Sequence, residues 1–131
     1  MNTPLNSAAN TLSYAGYSAR VEFDADDRLF VGHIAGIRDI VGFHGASVDE
    51  LEAAFREAVD NYVAACKKLG QSPDKPYTGR VMLRLPPEVH ARASTAAQLR
   101  GMSFNQWAAG VLDAASHGPT AERLDARRAR R

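Results

Sequence analysis

The stretch GRVMLRLPPEVH, Gly79 to His90, constrains this chain more than any other. Its first half alternates: Arg80, Met82 and Arg84 fall on one side, Val81, Leu83 and Leu85 on the other, the period of a half-buried strand. Pro86 and Pro87 end that pattern, and helical sequence follows from about Pro87 to Arg100, proline being suited to a first helical turn. Gly101 closes this helix. Ser103-Phe-Asn-Gln106 reads as a capping box that opens another, with Phe104, Trp107, Ala108, Val111, Leu112 and Ala115 on one face and Gly118-Pro119 as its stop. A unit of about 35 residues is too small to build a core alone, and a lone strand leaves both its edges unpaired.

A second copy of the chain cures both defects. Two antiparallel copies of Arg80–Leu85 make a ribbon with Val81, Leu83 and Leu85 turned towards the helices, where Trp107 and Val111 join the dimer core. The opposite face then shows Arg80, Met82 and Arg84 twice. A two-stranded ribbon fits the major groove of DNA, and arginine can make paired hydrogen bonds to a guanine edge. Ser103, Phe104 and Asn105, at the start of the last helix, stand where free backbone amides grip a phosphate. Solubility alone would explain two exposed arginines, but the strand carries no acid, and pairing doubles its charge.

Charge is divided along the chain. Residues 1–78 hold seven Lys/Arg against eleven Asp/Glu, net −4, whereas residues 79–131 hold nine Arg against four acids, net +5. The basic half suits nucleic acid and the acidic half a basic protein. No apolar run approaches the ~20 residues that cross a bilayer. The start, MNTPLNSAANTLSY, lacks the basic-then-apolar pattern of a secretory signal, and the single cysteine, Cys66, fits a reducing compartment. No membrane association and a cytoplasmic location are expected.

Residues 1–13 read as a flexible polar arm. Tyr17, Ala19, Val21 and Phe23 then alternate with polar residues as a strand, DADDR (Asp24 to Arg28) reads as a turn, and Leu29 to Ile37 as the antiparallel return strand. Asp39 to Gly45 supplies a third. Ser47-Val-Asp-Glu50 is a capping box, and Val48, Leu51, Phe55, Ala58, Tyr62, Cys66 and Leu69 form the apolar stripe of a helix from Val48 to Leu69. The expected fold class is α+β: a three-stranded antiparallel sheet with one covering helix over residues 14–70, a linker at 71–79, the strand–helix–helix unit at 80–118 and a basic tail at 119–131.

A metal-dependent nuclease needs converging carboxylates, whereas Asp24, Asp26 and Asp27 crowd one turn and Asp49 and Glu50 sit at a helix start. Turn formation accounts for the first three and the helix N-terminus for the other two, so no catalytic residue, metal or cofactor is expected. His33, His44, His90 and His117 lack metal-ligand spacing. Cys66 and Trp107 read as packing residues.

The order of strand, helix, glycine turn and capped helix resembles the ribbon-helix-helix family of bacterial repressors, whose module GRVMLRLPPEVHARASTAAQLRGMSFNQWAAGVLDAA covers. In that resemblance Arg80, Met82 and Arg84 map to the base-reading positions, and Ser103, Phe104 and Asn105 to the backbone clamp. Met82 departs from the polar residue often found there. Together with the YSARVEFDADDRLFVGHIAGI hairpin, the SVDELEAAFREAVDNYVAACKKLG helix and the PDKPYTGRVMLRLPPEVH junction, the chain resembles the HicB antitoxins over about residues 14–116. The resemblance implies a partial RNase H-like domain that neutralises a HicA-type mRNA-cleaving toxin, and a homodimer, open to pairing further as a tetramer, that binds operator DNA and represses its operon. The alternative is a stand-alone ribbon-helix-helix regulator whose N-terminal domain senses a ligand or mediates oligomerisation.

Overall fold

The computed structural model describes residues 9–117. The expected tail at 119–131 and most of the expected arm lie outside them. The fold is α+β, with strands β1 (Thr11–Tyr14), β2 (Tyr17–Asp24), β3 (Leu29–Ile34) and β4 (Gly42–Gly45) and helices α1 (Val48–Leu69), α2 (Pro87–Leu99) and α3 (Phe104–Ala115). Of the described residues, 9–76 form one compact unit and Tyr77–His117 another.

The sheet is an antiparallel meander in the order β1-β2-β3-β4. This corrects the expected three strands. Thr11–Ser13, read as the end of a flexible arm, pair with Tyr14 along β2 from Thr11↔Arg20 to Tyr14↔Tyr17. The intervening Ala15 and Gly16 both have positive φ, 53° and 82°, as a tight primed hairpin turn requires. The other two strands are shorter than expected, because the chain leaves the ladder after Ile34 and rejoins it at Gly42. Between β2 and β3 the Asp24 carboxylate accepts from the amides of Asp26 and Asp27 at 3.0 and 3.1 Å, the turn-forming role read from DADDR.

Helix α1 begins and ends at the expected residues. Ser47 accepts from the Glu50 amide, the Glu50 carboxylate accepts from the Ala46 amide at 2.8 Å, and Gly70 closes the helix in the left-handed conformation. Its buried residues are Leu51, Phe55, Val59, Tyr62 and Cys66. These pack on Tyr17, Ala19, Ile34 and Phe43 from one face of the sheet. Val48 and Leu69, expected on the stripe, are exposed at the two ends of the helix. Gly45 lets α1 and the sheet close, since a Cβ there would meet the backbone of Glu50 and Leu51, and Gly32 makes room for the Phe43 ring.

The unit's last residues are held by Tyr62, whose hydroxyl donates to the Pro73 carbonyl at 2.9 Å and accepts from the Arg38 amide at 3.1 Å. Arg38 and Lys75 add backbone bonds to Pro73 and Gly36. Burial, then the contact with Cys66, raises the Tyr62 phenol above the ordinary tyrosine range, so it keeps its proton at any physiological pH.

Candidate nucleic-acid interface

The second unit has two helices and almost no interior. Its buried residues are Ala93 and Ala97 on α2, and α3 buries none. Val81, Leu83, Leu85, Leu99, Met102, Val111 and Leu112 are all exposed. Arg80–Leu85, expected as a strand, forms none in the single chain, where it has no described strand to pair with.

The alternation of that segment is nevertheless expressed. Val81, Leu83 and Leu85 line a groove of about 640 Å³ together with Phe104, Ala108 and Leu112 of α3. Met82 points away from it, 96% exposed, and Arg84 is outside it as well. Arg80 is exposed but also lines the groove, so the two-faced pattern is cleanest from Val81 onwards. Neither arginine has an acidic partner among the described residues.

Helix α3 starts with both halves of the expected capping box: the Ser103 hydroxyl accepts from the Gln106 amide at 3.1 Å, and the Gln106 side chain accepts from the Ser103 amide at 3.0 Å. The Ser103 amide is thereby occupied. Since the first amides of a helix have no intrahelical acceptor, Phe104 and Asn105 carry the two that remain available. The Phe104 ring is fixed from both sides, with the His90 ring 5.6 Å away and the Trp107 ring 6.5 Å away.

Of the expected dimer core, Val81, Leu83 and Leu85 lie along the groove. Trp107 is half-buried and Val111 exposed, and neither lines it. Leu112 does; its signal was its place on the same apolar face as Phe104.

His33 and His44 share the sheet face opposite α1, but in register His33 faces Gly42 and His44 faces Val31. His117 meets Asp113 at 3.7 Å. Among the described residues no three His, Cys, Asp or Glu side chains are grouped to hold a metal ion, and no helix is long and apolar enough to cross a membrane.

Residues 62–112 match the HicB family model. The matched stretch runs from the end of α1 through the linker and across nearly all of the groove-bearing unit. No curated protein and no solved structure matches the chain.

Proposed function

We propose that this chain is the antitoxin of a toxin–antitoxin pair, a binding protein that neutralises a HicA-type mRNA-cleaving toxin through residues 14–70 and represses its operon through a dimeric ribbon-helix-helix unit. One observation carries the DNA-binding half: Val81, Leu83, Leu85 and Leu112 line an open groove in a unit whose buried residues are two alanines. Such a unit is incomplete alone, and a second copy laid antiparallel along Arg80–Leu85 would cover its apolar residues. That arrangement puts the guanidinium groups of Arg84 and Arg80 on a common ribbon face for the major groove, with the Phe104 and Asn105 amides flanking it for phosphates.

The toxin-binding half rests on the family match and on charge. The sheet unit is the acidic part of the chain, suited to a basic RNA-binding partner. Its meander with one covering helix is compatible with a partial RNase H-like domain.

Two measurements test the reading. Arg80→Ala with Arg84→Ala should weaken operator binding by about 1–3 kcal/mol for each paired guanine contact, while sedimentation still reports a dimer; unchanged operator affinity sinks it. Co-expression with the product of a small adjacent reading frame should yield a stable complex. Operator binding with no such complex would make the chain a stand-alone regulator.

A further inference from the structure

The sheet unit has an open edge beside an apolar groove. β4 is the last strand of the sheet. The Ile34 amide donates to Val41 at 3.0 Å, and Gly32 faces Phe43. Because bonded and non-bonded pairs alternate along an antiparallel ladder, Val41, Phe43 and Gly45 spend their main-chain groups on β3. Gly42 and His44 turn theirs outward. Natural sheet edges are commonly blunted by lysine, proline or a bulge; GFHG has no lysine and no proline.

Beside this edge a groove of about 520 Å³ runs between β4 and α1, with Val41 and Phe43 on one side and Ala54 and Ala58 on the other. The small alanines of α1 leave the space open. Two carboxylates, Asp39 and Glu57, line it; no Lys, Arg or His does. Neither carboxylate has an ion-pair partner among the described residues.

We infer that β4 is a strand-addition site, and that its occupant is an extended basic segment of another protein in which apolar residues alternate with Lys or Arg. Such a segment would pair with Gly42 and His44 by main-chain bonds and place alternate apolar side chains in the groove. Its cationic residues would meet Asp39 and Glu57. A second copy of this chain fits less well: a two-fold β4–β4 pairing sets the same two carboxylates against each other. Identifying the basic protein as the toxin rests on the reading above; the strand-addition site itself does not.

The test uses the full chain and the blocked peptide Lys-Val-Lys-Val-Lys, with Glu-Val-Glu-Val-Glu as its equally apolar counterpart. The lysine peptide should shift the amide resonances of Gly42 and His44 and slow their hydrogen exchange. Asp39→Lys with Glu57→Lys, both at exposed positions, should weaken it at least tenfold and let the glutamate peptide bind instead. His44→Pro should abolish binding, since it removes an outward donor and no bond to β3. The inference is overturned if the lysine peptide does not bind, if the glutamate peptide binds the unaltered chain equally well, or if the shifts miss Gly42 and His44. Protection of those amides in the free chain, lost together with self-association in His44→Pro, would assign the edge to a second copy and overturn it too. Failure to find a toxin would leave the peptide result standing, so the two ideas fail separately.

Discussion

The Tyr14 hydroxyl lies 3.0 and 3.1 Å from the two carboxylate oxygens of Asp60, tying the first strand to the covering helix. The phenol O–H donates to the carboxylate, and this bond is the main reason the Tyr14 pKa is raised. Because the folded-state value lies above the unfolded one, this linkage favours folding below pH ~10 and is lost as pH climbs through the raised value. Asp60→Ala should therefore lower the Tyr14 titration towards the ordinary tyrosine range. Tyr62, raised chiefly by burial, should not move. A spectroscopic phenol titration of Asp60→Ala beside Tyr62→Phe separates the two groups.

Tyr62→Phe tests the clasp at the end of the sheet unit. The substitution keeps the ring in the core and removes the hydroxyl that joins Pro73 to Arg38. The loss should cost about 0.5–1.5 kcal/mol, with faster hydrogen exchange confined to the Arg38 and Lys75 amides. Uniform acceleration across α1 would show that the hydroxyl supports the whole unit rather than its exit.

How much was legible depends on where the information sits. α1 could be read to the residue because its caps and its stripe are local. Val59, 1% exposed, was passed over for Ala58: the buried set Leu51, Phe55, Val59, Tyr62, Cys66 follows the true helical drift, whereas the stripe read from sequence stretched to Val48 and Leu69, beyond the sheet they would have to cover. β1 was missed because four residues give little alternation, and its turn carries Ala15 at positive φ where asparagine or aspartate would have signalled a hairpin. In the second unit the alternation of Val81–Leu85 and the capping box at Ser103 were both legible. Leu112 was seen on its helix face but not assigned to the groove, which forms only when α3 meets the segment before α2. Asp39 to Gly45 was legible as a strand, but the groove beside it was not, since alanines on a helix look like featureless positions until the fold brings them against a strand.

Phe55→Ala probes the centre of the sheet unit. Phe55 is 2% exposed, with the Phe43 ring 5.1 Å away and the Tyr14 ring 6.4 Å away. Removing a buried aromatic ring should cost about 3–5 kcal/mol, a large part of the ~5–15 kcal/mol that holds a typical domain folded. Chemical denaturation followed by circular dichroism should show a lower midpoint. A change below about 1 kcal/mol would mean that the three rings are not the core of this unit.

Leu83→Asp examines the groove-bearing unit in the opposite way. Leu83 is 54% exposed in the single chain, so a carboxylate there costs an isolated subunit little. In a ribbon of two copies the same position faces the helices, and two aspartates would be driven into the shared core, where unpaired charge is strongly disfavoured. Sedimentation equilibrium should therefore report a halved mass, with operator binding lost and the sheet unit's denaturation midpoint unchanged. Arg84→Ala provides the contrast, because its guanidinium lies outside the groove: the dimer should persist while DNA affinity falls. Dissociation in Arg84→Ala, or an intact dimer in Leu83→Asp, would mean that the two sides of this segment have been assigned the wrong way round.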